Sequence, residues 1–296
     1  MAEADDLFAE AAAKLSGVGG ERDTAAAREL FRRAGGLGRA DAAVVFANLL
    51  ASGVGGARDW PGALRLLASL GEVSARCRRE LEIVSGMALD GEGDPAVVPE
   101  GEVVCETPHI TLFRGLFTAG ECRYLAEAAA PMLAPAVVVD AKTGRQVPDP
   151  VRTSQSAGFT WPLENPAVHA LNRRIAAASA TAPEQGEPLQ VLRYRPGQAY
   201  KPHFDAIPGF SNQRAMTMLV WLNTDFDGGE TAFPAAKMKL RGGVGDAILF
   251  RNMGPDGRPD PASAHAGLPV GKGEKWLASR WIRERPYEPP VGPRAA

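Results

Sequence analysis

Only four histidines occur in this 296-residue chain, so each of them can be weighed separately as a candidate for chemistry. His203 and Asp205 lie two positions apart, and on an extended strand both side chains would project from the same face. A neutral imidazole beside a carboxylate can bind one side of a metal ion. The same spacing also arises by chance, and a hydrogen-bonded His–Asp pair at a strand end is the alternative. The spacing alone leaves both interpretations open.

A second histidine strengthens the metal interpretation. His265 is followed by Pro269 and the turn Gly271–Gly273, which predict that the chain folds back on itself. His265 and Lys275 would then lie on neighbouring strands and face one interior. Two histidines and one carboxylate that leave open positions are the ligand set of non-haem Fe(II) oxygenases. Lys275 would supply a cation for the carboxylate of a bound cosubstrate; the alternative is a solvated lysine in a turn.

The elements that must position these residues are short strands with packing helices. Val103–Phe113 is predicted as one strand, Thr118–Glu121 as the capping box of a helix, and Asn165 as the cap of a helix that begins at Pro166. Further strands are predicted at Gln190–Arg195, Met216–Asn223, Thr231–Phe233, Met238–Leu240, Ala247–Phe250 and Lys275–Ile282. This pattern predicts an α+β fold with a double-stranded β-helix, or jelly-roll, core.

The first part of the chain contains an internal repeat. Ser16–Asp23 recurs as Ser52–Asp59 at a shift of 36 residues, and an amphipathic helical pattern follows each copy. The segment resembles tetratricopeptide-like repeats of the Sel-one-like kind, which act either as a helical cap or as a docking surface for a protein partner. The predicted organisation is a helical repeat segment at 1–90, a linker at 91–102, a catalytic domain at 103–287 and a flexible tail at 288–296.

Composition excludes several classes of protein. Hydrophobic residues make up 45% and charged residues 23%, as in ordinary globular proteins. With 33 basic and 35 acidic residues, the net charge of −2 argues against nucleic acid as a partner or substrate. Three scattered cysteines do not indicate a disulfide framework. The acidic N-terminus is not that of a secretory signal, and no apolar segment is suited to a bilayer, so a cytoplasmic protein without membrane contact is expected.

Several ordered motifs resemble those of one enzyme family. Leu189–Asp205, with Tyr194, Tyr200, His203 and Asp205 in order, is similar to the core motif of the prolyl 4-hydroxylase family of 2-oxoglutarate- and Fe(II)-dependent dioxygenases. The resemblance extends over about residues 103–287. The other matching segments are Leu116–Cys122, Val151–Ser154, Leu222–Pro234, Gly245–Phe250, His265–Val270 and Gly273–Glu284.

The resemblance implies a role for each matching residue. His203, Asp205 and His265 would bind Fe(II). Lys275 would pair with the distal carboxylate of 2-oxoglutarate, with help from the hydroxyls of Tyr194 and Thr231. The residues implied for the substrate groove are Tyr200, Arg214, Trp281 and Arg152. The alternative for these four is core aromatic packing or a structural arginine–carboxylate pair. The two other histidines, His109 and His169, are expected to be surface or structural residues.

The implied reaction is hydroxylation of a prolyl residue in a protein or peptide. It would consume O2 and 2-oxoglutarate, release succinate and CO2, and need Fe(II), with ascorbate as a candidate additional cofactor. Two alternatives stay open at this point: hydroxylation of a free amino acid or another small metabolite, and a non-catalytic scaffold that uses the repeats.

Overall fold

The computed structural model describes residues 2–139, 146–149, 151–207 and 209–290. The chain divides into two compact units. One unit combines the chain up to Val97 with Phe159–Arg173 and the segment from Glu288, and the other combines Val98–Gly158 with Arg174–Tyr287. The sequence did not indicate that residues 159–173 group with the N-terminal helices. Of the helices in the described ranges, none combines the length and the apolar character that a bilayer span requires.

The helices and strands have the following bounds. The helices are α1 Ala2–Ser16, α2 Thr24–Gly36, α3 Ala40–Ser52, α4 Trp60–Gly71, α5 Ala75–Ser85, α6 Ala119–Ala129 and α7 Pro166–Ala178. The strands are β1 Gly101–Glu106, β2 His109–Phe113, β3 Ala134–Pro135, β4 Val137–Val139, β5 Gln146–Pro148, β6 Gln155–Gly158, β7 Gln190–Tyr194, β8 Tyr200–His203, β9 Arg214–Trp221, β10 Phe226–Gly228, β11 Thr231–Phe233, β12 Met238–Leu240, β13 Ala247–Arg251, β14 His265–Gly267, β15 Val270–Gly273 and β16 Lys275–Arg283.

The two copies of the repeated segment have the same local structure. Asp23 and Asp59 precede α2 and α4, and each side chain accepts a hydrogen bond from the backbone N–H three residues on, at 2.9 and 2.8 Å. Gly17 and Gly53 follow α1 and α3 with left-handed φ values of 72° and 77°. The repeated sequence therefore ends one helix and starts the next in the same way at both positions. The core of these helices contains Leu7, Ala11, Leu15, Ala27, Leu30, Phe31, Ala34, Ala42 and Leu49.

A buried carboxyl group lies on α5 of this unit. Glu80 is 1% exposed, its Oε1 makes no hydrogen bond with the described residues, and burial raises its pKa to about 8 although Arg76 lowers it. Because the folded pKa lies above the unfolded value of 4.5, the folded state holds its proton more tightly. Stability is therefore expected to fall as the pH rises from about 5 to about 8, by on the order of 3 kcal/mol. Glu80→Gln should remove this loss.

Thermal unfolding measured by circular dichroism at several pH values tests the expectation. Glu82→Gln is the matched control, because Glu82 lies on the same helix and is exposed. If the unfolding temperatures of wild type and Glu80→Gln depend on pH to the same extent, the expected role of Glu80 is contradicted.

The second unit is built on two β-sheets. The larger sheet has the strand order β1-β2-β13-β9-β16-β7-β6-β3, and the smaller has the order β12-β11-β14-β8. Strands β10 and β15 pair separately, as do β4 and β5. The inner faces share one apolar cluster, and the fold is the predicted jelly roll with packing helices. The cluster comprises Ile110, Leu112, Leu192, Tyr194, Leu219, Trp221, Phe226, Phe233, Ile248, Phe250, Val270 and Leu277.

One predicted strand is wrong in extent. Val103–Phe113 is not a single strand, because the turn at Thr107–Pro108 separates β1 from β2, which pair antiparallel as a hairpin. Proline has no N–H to donate to a ladder, so a hairpin turn suits it better than a strand interior. The predicted capping box is confirmed: Thr118 and Glu121 exchange hydrogen bonds at the start of α6.

Candidate active site

A cavity lies between the two sheets of the jelly roll. Its walls come from the inner faces of β7, β8, β9, β11, β14 and β16. The described residues that line it are Arg152, Leu192, Tyr194, Tyr200, His203, Asp205, Leu219, Thr231, His265, Gly267, Lys275, Leu277, Ser279 and Trp281. All the predicted site residues except Arg214 are in this set.

Strand pairing brings the three candidate metal ligands together. His203 ends β8, His265 begins β14, and the two residues are direct partners in the antiparallel ladder. Asp205 follows β8, with one carboxylate oxygen 3.7 Å from Nε2 of His203 and the other 3.6 Å from Nε2 of His265. One donor atom from each residue lies within 4.8 Å of the other two. Asp205 and His265 are buried and His203 is partly buried.

Backbone carbonyl groups fix the proton on each imidazole. Nδ1 of His203 lies 2.9 Å from the carbonyl oxygen of Lys201, and Nδ1 of His265 lies 3.0 Å from that of Ser263. Because a carbonyl oxygen only accepts, Nδ1 carries the proton and donates in both cases. Each Nε2 then has a free lone pair near Asp205. Two imidazole nitrogens and a carboxylate oxygen, arranged so, fit a divalent iron ion.

Electrostatics keep this set in the form that binds metal. Burial, the neighbouring His265 and other groups lower the pKa of His203 to about 4. Burial alone would raise the pKa of Asp205, but the two imidazoles and a hydrogen bond from Thr217 hold it below its usual value. At neutral pH His203 is therefore a neutral imidazole and Asp205 a carboxylate, as metal ligation requires.

A buried lysine also lines the cavity. Lys275 is 2% exposed and pairs directly with Tyr194 across β16 and β7. Its Nζ donates to the carbonyl oxygen of Gly229 at 2.7 Å and lies 5.5 Å from the ring centroid of Tyr194. Burial lowers the pKa of Lys275 to about 8, with Glu230 opposing the shift. A solvated turn lysine would not be buried, so the structure excludes that alternative.

Two hydroxyl groups line the same part of the cavity. Tyr194 is 3% exposed, and burial raises its pKa to about 12, so its hydroxyl stays protonated. Thr231 is 2% exposed and begins β11. Together with Lys275 they add one cationic group and two hydroxyl-bearing side chains to the lining of the cavity, groups that can bind an anion.

Comparison with known proteins gives the family. A family model for the 2OG-Fe(II) oxygenase superfamily matches residues 189–283. Prolyl 4-hydroxylase 1 of Arabidopsis thaliana is 41% identical over 203 residues, which cover 62% of this chain and 72% of that protein. The chain belongs to the prolyl 4-hydroxylase family of 2OG-Fe(II) oxygenases. It is therefore a 2-oxoglutarate-dependent dioxygenase whose cofactors are Fe(II) and 2-oxoglutarate, with O2 as the oxidant.

Other relatives and a solved structure are similar to this chain. Prolyl 4-hydroxylase 5 of Arabidopsis thaliana is 35% identical over 211 residues, which cover 63% of this chain and 72% of that protein. Among solved structures, the viral collagen prolyl hydroxylase of Paramecium Bursaria Chlorella virus-1, in its 2OG complex, is 29% identical with a TM-score of 0.49. That likeness covers 61% of this chain and 98% of the viral chain.

Two aromatic side chains and an arginine form another part of the wall of the oxygenase cavity. Tyr200 stacks on His203 with ring centroids 3.4 Å apart, and the guanidinium of Arg152 lies 5.7 Å from the Tyr200 ring. Trp281 is 9% exposed, and its Nε1 makes no hydrogen bond with the described residues. Tyr200 and Trp281 therefore give the cavity an aromatic wall beside the candidate metal ligands.

Arg214 does not reach the described wall of the cavity. Its guanidinium donates two hydrogen bonds to the carboxylate of Glu187, at 2.6 and 2.9 Å, and lies 3.7 Å from the Trp281 ring centroid. Arg283 forms a second ion pair with Glu187 at 2.6 Å. Arg214 thus packs against Trp281 in a structural arginine–carboxylate pair, which is the alternative role that the sequence leaves open.

We expect Glu187→Gln to disturb the substrate side of the cavity while leaving its 2-oxoglutarate side intact. Loss of the carboxylate charge should loosen Arg214 and, through it, Trp281. The KM for a peptide substrate should rise on the order of tenfold, with the KM for 2-oxoglutarate unchanged. Steady-state kinetics with Glu184→Gln, an exposed neighbour, as control tests this. Equal changes in both KM values would contradict it.

The two remaining histidines lie outside the cavity. His169 on α7 is buried, with Nδ1 2.8 Å from Oε1 of Glu164. His109 on β2 is partly exposed and lies 3.7 Å from Glu106. Neither takes part in the cluster of candidate ligands, and both have the surface or structural positions that the sequence predicted.

Sequence reasoning missed several residues of the site. Leu192 and Leu219 form an apolar wall beside the candidate ligands. Leu192 lies two residues before Tyr194 on β7, so alternation along that strand could have identified it. No sequence feature marks Glu187 as important, because it lies in the loop before β7 and its arginine partners are distant in sequence. Thr217, which donates to Asp205 at 2.7 Å, looks like an ordinary β-branched strand residue.

Proposed function

We propose that this oxygenase hydroxylates a prolyl residue in a protein or peptide and couples that reaction to conversion of 2-oxoglutarate to succinate and CO2. The observation that carries the proposal is the cluster of His203, Asp205 and His265, whose ligand atoms lie within 4.8 Å of one another in a cavity that the buried Lys275 also lines. The named relatives are prolyl 4-hydroxylases, which supports a prolyl substrate.

Different residues of the cavity would bind the metal ion and the cosubstrate. His203, Asp205 and His265 would hold Fe(II) and leave further coordination positions free. Bound Fe(II) and 2-oxoglutarate supply the oxidising chemistry, in which O2 gives one oxygen atom to the substrate and one to succinate. Lys275 would bind the distal carboxylate of 2-oxoglutarate by a charge-assisted hydrogen bond, with the hydroxyls of Tyr194 and Thr231 beside it.

The substrate side has a different composition. Tyr200, Trp281 and Arg152 would line the groove, and Arg214 would act by orienting Trp281. The apolar side chains of Leu192, Leu219 and Leu277 exclude water from the space around the ligands.

Comparison of substrates tests the proposal. Purified protein with Fe(II) and 2-oxoglutarate is offered proline-rich peptides, free proline and other free amino acids, and succinate formation is measured with the mass of each substrate. The proposal predicts that a peptide gains one oxygen atom in proportion to succinate. Succinate formation that only a free amino acid or small metabolite stimulates would establish the alternative substrate class. A protein that binds neither Fe(II) nor 2-oxoglutarate would favour a non-catalytic scaffold. Omitting ascorbate tests whether that cofactor is needed.

Two parts of the proposal concern the cell. A protein partner for the helical repeats and a cytoplasmic location stay predictions from the sequence. Residues 159–173 pack with the N-terminal helices, where the carbonyl of Pro162 accepts from Asn48 Nδ2 at 2.9 Å and Trp161 packs on the helical core. Removal of residues 1–90 would uncover this segment, so surface substitutions are the sharper way to test a docking role.

A further inference from the structure

A buried hydrogen-bonded chain lies behind Asp205. Thr217 on β9 is 1% exposed, and its Oγ1 is 2.7 Å from Oδ2 of Asp205. Asn252, which directly follows β13, is fully buried, and its Nδ2 donates to Oγ1 of Thr217 at 2.9 Å. The backbone N–H of Asn252 donates to the carbonyl oxygen of Ala215 at 2.8 Å, which holds the side chain beside Thr217.

The direction of these hydrogen bonds follows from elementary chemistry. A ligating carboxylate is deprotonated and only accepts, so the single hydroxyl proton of Thr217 must point to Asp205. The Thr217 oxygen can then only accept from Asn252, and Asn252 must therefore present its NH2 group. Oδ2 of Asp205 therefore receives the Thr217 proton, which fixes the orientation of the carboxylate and leaves Oδ1 without this hydrogen bond.

The amide of Asn252 is costly for the fold. Its Oδ1 is buried and accepts no hydrogen bond from the described residues. A buried acceptor without a partner destabilises a protein, and an apolar side chain of similar size would avoid that cost. An amide at this position is therefore better explained by the hydrogen bond that it donates than by packing.

We propose that Thr217 and Asn252 are positioning residues that fix the Asp205 carboxylate for metal binding through Oδ1. Asn252 sets the direction of the Thr217 hydroxyl, and Thr217 holds the carboxylate. Substitution of a residue that hydrogen-bonds a metal ligand commonly lowers metal affinity by about 10–100-fold. The inference rests on the proposed assignment of His203, Asp205 and His265 as the metal ligands.

Metal affinity in the absence of turnover is the test. Co(II) serves as the probe, and its Kd and visible absorption spectrum are measured for wild type, Thr217→Val, Thr217→Ser and Asn252→Leu. Valine has the shape of threonine but no hydroxyl, so Thr217→Val should weaken Co(II) binding roughly 10–100-fold. Thr217→Ser should bind almost as wild type. Asn252→Leu should weaken binding by a smaller factor and should have no further effect in the Thr217→Val background.

A purely structural role would give a different result. It would lower the unfolding temperature of the metal-free variants and leave the Kd and the spectrum of bound Co(II) at their wild-type values, which would overturn the inference. Additive effects of the two substitutions on Co(II) affinity would also overturn it. If Thr217→Val does not fold, the Kd and the spectrum of Co(II) bound to Asn252→Leu are compared with those of wild type. Wild-type values for both would overturn the inference. Co(II) binding unaffected by His203→Ala would instead refute the ligand assignment.

Discussion

His203→Ala is expected to reduce conversion of 2-oxoglutarate to succinate to the background level without enzyme. The substitution removes one of the two imidazoles whose Nε2 atoms lie near Asp205. Two remaining donors hold a divalent metal far less tightly than three, so the variant should lose Fe(II) at the concentrations used for assay. Succinate formation, measured with excess 2-oxoglutarate and Fe(II), is the readout.

A matched control separates this loss from misfolding. His109→Ala removes a partly exposed imidazole from β2 of the same unit, away from the cavity, and should keep wild-type turnover. His203→Ala should unfold at a temperature close to that of metal-free wild type. Turnover of His203→Ala comparable to that of His109→Ala would contradict the assigned ligand.

Lys275→Met is the second large effect that we expect. Methionine has similar length but no charge, so 2-oxoglutarate should lose its charge-assisted hydrogen bond and bind roughly 100-fold more weakly. Burial of the lysine lowers its pKa from 10.5 to about 8, which corresponds to a cost on the order of 3 kcal/mol for the charged form. The variant should therefore unfold at a higher temperature than wild type when 2-oxoglutarate is absent.

The same lysine gives a pH dependence of definite sign. Its pKa is depressed, so above pH 8 the ligand-free protein increasingly holds it neutral, and the anionic cosubstrate must bind together with a proton. The Kd of 2-oxoglutarate should therefore rise by up to tenfold per pH unit above about 8. Calorimetric titration across this range measures it. Lys272→Met, an exposed lysine on β15, is the control and should match wild type. Unchanged binding by Lys275→Met would contradict the role of Lys275.

The candidate site residues could be predicted from the sequence, but the strand geometry that was expected to bring them together could not. Two of the geometric expectations are wrong: β8 ends at His203, so Asp205 follows the strand rather than alternating on it, and His265 and Lys275 are not on neighbouring strands but on β14 and β16 of different sheets. All four residues nevertheless line one cavity, because the two sheets face each other. The structure makes His265 the ladder partner of His203 and Lys275 that of Tyr194. The family motif therefore identified the three residues that the structure groups as candidate ligands, and short-range pattern alone left the choice open.

What escaped prediction depends on distant pairing. Arg214 carries a charge that either a substrate or a protein carboxylate could satisfy, and the strand pattern does not say which. The structure pairs it with Glu187, from a loop that has no distinctive pattern. The residues 159–173 were not predicted to join the helical unit, because an amphipathic helix shows which of its faces is buried but not which element covers that face.

Labelled molecular oxygen tests the central claim most directly. The protein is incubated with Fe(II), 2-oxoglutarate and a proline-containing peptide under isotopically labelled O2, and peptide and succinate are analysed by mass spectrometry. Prolyl hydroxylation coupled to 2-oxoglutarate predicts one labelled oxygen atom on a prolyl residue of the peptide and one in succinate, in equal amounts. Labelled succinate without any labelled peptide, across a panel of proline-rich sequences, would contradict the proposed substrate, and no labelled succinate with any substrate would contradict the reaction itself.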